Sequence, residues 1–550
     1  MAQEEGQSPP LMADPEQLEL LLQELRSKAT ELFLREHWAQ SLQVYSQFIT
    51  LCQGQISSVV LQHPRGSVPD SISRLQKSVC LALSNRAEAR YRMGDLDEAL
   101  WDCEEALRVE ISHFKALICK GRVLLALNRY ASALECFRLA SMDAQAVAHS
   151  EDLSRLLERC RKLELQSRTG CIDLSDWVLG GFRGELPELA EFVGAAEVKR
   201  SDLSGRGLFA MKNMDAGTLV LVNKAIGVER GILLGEELGE TKQLVMWKNF
   251  VDRVADSTVK CKRMSRMMGM LSSGEDESGL VIPDMAVFRP EKEELIWGTD
   301  DHHSTLEMDR IISILDVNSF VEDAVSAKVL GRNRDYYGVG IWVLPSFINH
   351  SCCPNARRLH VGNYMIVHAS RDIKAGEEIT FPYFDILKPV EMRRKMSSNW
   401  GFRCSCRRCK FEEEMIPKQE FKELEMGLEI GVDLGSLVYR LEEGMRRWRA
   451  RGKEKGYLRA SLWGAYSGMY QSEKITRKWA RRVPVAEAVV DSVVEATGGD
   501  ERVVRVAVEQ LKKAGGGGGV VEMERVYKMG KGLYGKVLKK PALRNLMELQ

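Results

Sequence analysis

The chain has 550 residues, 44% of them hydrophobic and 28% charged, which is globular composition long enough for about three domains. Its 78 basic and 78 acidic side chains cancel, so no global field favours nucleic acid or a membrane surface. The 13 cysteines, odd in number and mostly scattered through helical segments, argue against a disulfide framework.

Residues 1–16 are acidic and Pro-containing and are expected to be disordered. They lack the basic start and apolar core of a signal peptide. No uninterrupted apolar run approaches the length of a membrane span. From 17 to 165 the chain reads as helical repeats. Ala87, Ala99 and Ala106 recur as Gly121, Ala133 and Ala140, each pair 34 residues apart. An earlier copy fits with Ala29, Ser41, Tyr45 and Phe48. Residues 52–79, which include His63-Pro64-Arg65-Gly66, break the register and predict an inserted loop. Cys80, Cys103, Cys119 and Cys136 read as small buried apolar residues.

The segments Ser84-Asn85-Arg86-Ala87 and Met93-Gly94-Asp95-Leu96-Asp97-Glu98-Ala99-Leu100 resemble the tetratricopeptide family, in which paired antiparallel helices stack with small residues at their crossings. The resemblance implies a concave groove for a protein or peptide partner. In members that hold a chaperone C-terminal carboxylate, the matching positions here are Arg26, Thr30, Asn85, Lys115 and Cys119. Thr30 and Cys119 replace an Asn and a basic residue of that clamp, so a general protein-binding groove is expected rather than a chaperone clamp. A scaffold that only packs on the rest of the chain is the alternative.

Residues 190–229 read as short strands: 196–200, 207–210 and 218–222, with Asp215-Ala216-Gly217 as the turn before the third. Residues 230–330 read as a mostly helical, charged insertion. Strand-like core returns near Gly338-Val339-Gly340-Ile341-Trp342, within a segment taken as 331–390. Four blocks then stand in order: Gly205-Arg206-Gly207-Leu208-Phe209-Ala210; Ser346-Phe347-Ile348-Asn349-His350-Ser351-Cys352-Cys353-Pro354-Asn355; Gly376-Glu377-Glu378-Ile379-Thr380-Phe381-Pro382-Tyr383; and Cys404-Ser405-Cys406-Arg407-Arg408-Cys409. The last is C-x-C-x2-C, three thiolates for a tetrahedral metal that needs a fourth ligand.

In this order the blocks resemble the SET domain of S-adenosylmethionine-dependent protein lysine methyltransferases. The split arrangement resembles the family that combines SET with a MYND zinc finger. Only Cys261 lies in the gap, so the finger is absent. The repeat-plus-SET order resembles plant proteins of that build. The resemblance implies Tyr383 as the catalytic-site hydroxyl. It implies Gly205, Arg206, Gly207, Asn318, Ser346, Asn349, His350 and Phe402 at the cofactor, with holding a loop as the alternative role of Arg206. It completes a zinc site from Cys352 with Cys404, Cys406 and Cys409 in a post-SET segment, 391–412. Cys353 would point away if the segment is extended. The 349–355 segment would tuck beneath the C-terminal chain. Phe381, Trp400 and Phe402 are candidates for an aromatic lysine channel. Pro382 stands where the family usually has Asp or a small polar residue, which puts the local backbone in question.

After Lys410 the chain reads as helical, with 413–550 as a C-terminal helical domain, Pro484 at a helix start and Gly515–Gly519 as a linker. The basic runs 446–451 and 477–482 read as solvated helix faces rather than nucleic-acid patches. The expected fold class is α+β and multidomain: a helical repeat solenoid, a β-rich SET fold with inserted helices and a zinc site, and a helical C-terminal region. The expected function is methyl transfer from S-adenosyl-L-methionine to lysine of a protein substrate, histone or non-histone, in nucleus or cytosol. The alternative of another class is a non-catalytic adaptor. No membrane and no sequence-specific nucleic-acid partner is expected.

Overall fold

The computed structural model describes residues 15–62, 70–183, 185–232, 236–274, 279–289, 291, 306–322, 336–415, 417–513 and 520–548. It divides into two units, residues 1–164 with 257–263, and 165–256 with 264–550. None of the described helices is long and apolar enough to cross a membrane.

In the first unit the small-residue period becomes three helix pairs: α1 (Pro15–Leu34) with α2 (Trp38–Gln62), α3 (Asp70–Met93) with α4 (Leu96–Val109), and α5 (Phe114–Ala126) with α6 (Tyr130–Ala140). Ala87, Ala99, Ala106, Ala133 and Ala140 are fully buried, as crossing points require. A Cβ on Gly121 would lie 2.5 Å from the Phe137 ring, so glycine there sets how closely α5 and α6 approach. The predicted loop over 52–79 is largely replaced by helix. α2 and α3 are 25 and 24 residues long, and the extra turns absorb most of the insertion. His63-Pro64-Arg65-Gly66 and residues 1–14 lie outside the described residues. The fully buried Asp102 carboxylate pairs with Arg86 at 2.6 Å and Arg90 at 2.7 Å, which compensates a charge that burial alone would neutralise.

In the second unit the described strands form three antiparallel sheets. β1 (Phe192–Val193), β4 (Leu219–Lys224), β9 (Tyr364–Ala369) and β8 (Ala356–Val361) lie in that order; β10 (Glu378–Ile379), β3 (Arg206–Ala210) and β2 (Ala196–Arg200) make the second; β5 (Gly227–Ile232), β7 (Tyr336–Ile341) and β6 (Phe320–Val321) the third. The three strands expected from 196 to 222 are present. The β8–β9 hairpin, turning at Gly362-Asn363, was not anticipated.

Strand alternation splits the first sheet between two cores. Met365, Val367 and Ala369 face one with Leu208, Ile379 and Phe381. Ile366, Leu359 and Val361 face the other with the C-terminal helices. That second core also takes Ile172, Leu174, Val178 and Leu189, so the C-terminal helices share a core with residues 172–189. Pro484 precedes its helix (Ala486–Thr497) by two residues, and its carbonyl accepts from the Tyr470 hydroxyl at 2.7 Å. Gly515–Gly519 lies outside the described residues. The result is an α+β chain: helical repeats, a β-rich middle and a helical C-terminal region.

Candidate cofactor and catalytic site

Two chain segments meet at the centre of the second unit. Residues 349–351 run alongside 381–383: His350 bridges Phe381 in parallel, Phe381 N donates to Asn349 O at 3.3 Å, and Ser351 N donates to Phe381 O at 3.4 Å. The pairing sets the Asn-His segment beside the Tyr383 segment. It also explains Pro382. The donors used here belong to Phe381 and Tyr383, so a residue without an N–H at 382 costs this pairing nothing.

His350 is buried and neutral; burial pushes its imidazole down to about 3. Tyr383 N donates to His350 Nδ1 at 3.0 Å. The ring hydrogen of the neutral imidazole therefore sits on Nε2, which lies 3.3 Å from Cys352 Sγ. The Tyr383 hydroxyl donates to Ile348 O at 2.8 Å. Its ring packs against Trp400 at 4.9 Å, His350 at 5.5 Å, Phe320 at 5.6 Å, Phe381 at 5.7 Å and Phe402 at 6.0 Å.

Beside these rings opens a cavity of about 390 Å³. Seven of the nine residues expected at the cofactor or as the catalytic hydroxyl line it: Arg206, Asn318, Ser346, Asn349, His350, Tyr383 and Phe402; Trp400 and Cys404 line it too. Asn349 Nδ2 donates to Ser204 O (3.0 Å), Arg206 O (3.1 Å) and Glu378 Oε1 (2.8 Å), which ties the two glycine-flanked and Asn-His segments together. Asn318 ends the helix Met308–Asn318 and donates to Ser272 O and Ile314 O, both at 2.7 Å. The Ser346 hydroxyl donates to Trp342 O at 2.9 Å. Arg206 donates to Met270 O and Val281 O, at 2.9 and 3.1 Å, and lies over the Phe347 ring. It anchors the inserted segment, the loop-holding role the sequence left open.

Three expectations change. Gly207 is not in the cavity lining, and a Cβ there would clash with Glu378 Oε1, so glycine at this position admits that carboxylate. Gly205 also lies outside the lining, and its φ of 45° is a left-handed turn that a glycine adopts at low cost. Phe381 is fully buried and belongs to the core behind Tyr383, where it and Phe320 flank the Arg358 guanidinium at 4.9 and 5.0 Å. Of the three channel candidates, Trp400 and Phe402 line the cavity.

Glu378 was missed, although it stands in a quoted block. Burial pushes its carboxyl up, and Asn349 and Ser201 donate to it in opposition, Ser201 at 2.8 Å. Gly207→Ala is expected to displace this carboxylate and cost about 1–3 kcal/mol through a strained contact and lost hydrogen bonds. Thermal unfolding of the variant checks it, and an unchanged midpoint would contradict the packing argument.

Cys352, Cys404, Cys406 and Cys409 are all buried and converge, with ligand atoms within 4.8 Å of one another. Cys352 Sγ lies 3.9 Å from Cys404 Sγ and 3.6 Å from Cys409 Sγ. A tetrahedron with metal–sulfur bonds near 2.3 Å has edges of about 3.8 Å, so the donor set could hold a metal ion. Cys353 does not point away. It packs on the cluster, facing Cys406 and 3.5 Å from Ser351 Oγ.

Around the thiols lie two fully buried arginines the sequence did not signal. Arg393 donates to Cys409 Sγ at 3.0 Å and pairs with Glu412. Arg408 donates to Glu412 (2.8 Å), Cys352 O (3.1 Å), Ile386 O (2.8 Å) and Ser461 Oγ (2.8 Å). Buried guanidiniums stay charged, so they favour thiolates over thiols in the cluster.

The SET domain model matches residues 205–384, which contain the cavity's Asn-His and Tyr segments. A methyltransferase of Gibberella zeae is 25% identical over 402 residues, covering 70% of this chain and 51% of that protein. The mouse histone-lysine N-methyltransferase SMYD3 is 40% identical over 90 residues, 16% of this chain and 21% of that protein. The chain thus spans about half the length of the first and about a fifth of the second. Among solved structures, the TPR2B domain of yeast Sti1 in complex with pHsp70 is 21% identical, with a TM-score of 0.20, covering 26% of this chain and 96% of that one. Residues 205–384 are a SET domain.

Proposed function

We propose that this chain is an S-adenosylmethionine-dependent protein-lysine methyltransferase. The observation that carries the reading is the single cavity lined by Asn349, His350, Asn318, Arg206 and Tyr383. Asn349, Asn318, Ser346 and Phe402 would hold the cofactor. The directional amides suit a polar ligand, and about 390 Å³ is within the range of small-molecule sites. Bound there, the cofactor supplies an electrophilic methyl group.

The chain's own residues do the rest. A lysine amine with a reference pKa near 10.4 needs roughly 4–5 kcal/mol to be neutral at pH 7. Trp400 and Phe402 border the cavity beside Tyr383, and apolar walls disfavour the ammonium form. Tyr383 has committed its hydroxyl hydrogen to Ile348 O. Its oxygen therefore acts as an acceptor, which takes an amine N–H and aims the nitrogen lone pair elsewhere. No strong base is needed from it. Zinc is the metal that suits four thiolates, and Cys352, Cys404, Cys406 and Cys409 would hold it.

The first unit supports a protein-binding groove. A cavity of about 340 Å³ is lined by Phe33, Trp38, Asn85, Arg92, Lys115 and Arg122, among others. Of the five clamp positions, Asn85, Lys115 and Cys119 line it and Arg26 and Thr30 do not. Asn85 also donates its amide to the Tyr45 hydroxyl at 3.0 Å. This lining supports a protein ligand other than a chaperone tail.

Calorimetric titration of the full chain with S-adenosylmethionine tests the cofactor reading. Saturable binding is expected, weakened at least about tenfold in Asn349→Ala, because the variant loses the amide that ties Ser204, Arg206 and Glu378 together. Transfer of labelled methyl to a lysine peptide array is the second step. A metal-loaded, folded protein that binds no cofactor would return the chain to the adaptor class.

A further inference from the structure

The C-terminal helices carry no motif, yet one of their corners grips both segments that cross at Tyr383. The helix Ala486–Thr497 ends on Gly498, whose φ of 71° turns the chain into the helix Glu501–Lys513. On one side Arg357, just beyond the Cys352–Asn355 run, donates to Thr497 O at 3.3 Å and to Gly499 O. A Cβ on Gly498 would lie 3.0 Å from Pro354 O, so the corner sits directly on that run. On the other side Arg502 makes a two-pronged pair with Asp385, Nη1 to Oδ2 at 2.9 Å and Nη2 to Oδ1 at 2.7 Å.

Asp385 is two residues beyond Tyr383, and its Oδ1 also accepts from Leu387 N at 2.9 Å. Arg502 is itself braced by Asp500, Nε to Oδ1 and Nη2 to Oδ2, both at 3.0 Å. A fork held by one carboxylate and presented to another fixes direction as well as distance.

We propose that Arg502 is a positioning residue for Tyr383: the helical corner holds the 383–387 turn through Asp385, and so fixes where the hydroxyl stands in the cavity. The catalytic part of this inference rests on the methyltransferase reading; the positioning part does not. Arg502 and Asp385 side chains keep 48% and 26% of their exposure, so the pair lies at the surface and its loss leaves the core intact.

The test is hydrogen–deuterium exchange on the full chain, comparing wild type, Arg502→Met, Arg502→Lys and the swapped double variant Asp385→Arg/Arg502→Asp. In Arg502→Met the amides of Tyr383 and Leu387, which bond to His350 Nδ1 and Asp385 Oδ1, are expected to exchange about five to ten times faster. Amides of the repeat helices should not change. Arg502→Lys should restore little, since an ammonium lacks the fork, and the swapped pair should restore protection at Tyr383 but not at Leu387, whose acceptor Asp385 Oδ1 the swap removes.

With the best peptide of the array, Arg502→Met should lower kcat several-fold at unchanged KM for the cofactor. Unchanged exchange at both amides in Arg502→Met, or no recovery at the Tyr383 amide in the swapped pair, would overturn the inference. A wild type that binds no cofactor would sink the methyltransferase reading alone, because the exchange result does not depend on it.

Discussion

Cys404→Ser, or stripping of the metal by a strong chelator, is expected to abolish S-adenosylmethionine binding while leaving the repeat helices folded. Cys404 stands in the cluster and at the cavity edge, and Trp400, Gly401, Phe402, Arg403 and Ser405 of the same stretch line that cavity. The stretch has little apolar core of its own: the cluster consists of the thiols and Ile386, with Phe384 and Phe402 packed against it. With zinc bound, four thiolates and the dication leave a negative centre facing Arg393 and Arg408. Without it the thiolates either repel one another or take up protons, and then two buried guanidiniums face the single Glu412 carboxylate. Uncompensated buried charge costs several kcal/mol. Structural zinc contributes on the order of 10 kcal/mol, comparable with the whole stability of a domain. The metal content by mass spectrometry, the cofactor titration and far-UV circular dichroism read the three parts separately. A metal-free protein that binds cofactor as wild type does would disprove the dependence.

What the sequence exposed and what it hid divide by range. Ser346–Asn355, Gly376–Tyr383 and Cys404–Cys409 are contiguous blocks, and seven of the nine proposed cofactor and catalytic residues line the cavity. Small residues at a 34-residue period located the helix crossings because close approach is a local demand on side-chain size. The β8–β9 hairpin was also legible, from two runs flanking Gly362-Asn363. It was missed because Arg357, Arg358 and His360 interrupt the apolar alternation of a strand that is nonetheless largely buried. The bonds that hold the site were beyond reach. Asn349 meets Ser204 across 145 residues, and Arg502 meets Asp385 across 117. Nothing in the local pattern of an exposed Arg distinguishes a positioning fork from a solvated charge. The shared core was hidden for the same reason: Ile172, Leu174, Val178 and Leu189 join the C-terminal helices through tertiary packing alone.

Tyr383→Phe should lower methyl transfer by about 10²–10³, the loss typical of one well-placed polar contact to a reacting group. Cofactor affinity should stay within about threefold, since the contacts proposed for the cofactor belong to other residues. The substitution removes the donor to Ile348 O, at a net cost of about 1 kcal/mol. It keeps the ring that packs on Trp400, His350, Phe320 and Phe402. The backbone bond from Tyr383 N to His350 Nδ1 is untouched. The change is therefore confined to the hydroxyl, and a small drop in melting temperature cannot account for a hundredfold loss of rate. Single-turnover transfer followed by mass spectrometry, with saturating cofactor, separates chemistry from binding. A variant that methylates at the wild-type rate would assign the amine's orientation to another group. Trp400→Phe, which retains an aromatic wall but changes its reach toward Tyr383, would then be the variant to measure, because that ring stands nearest of all, at 4.9 Å.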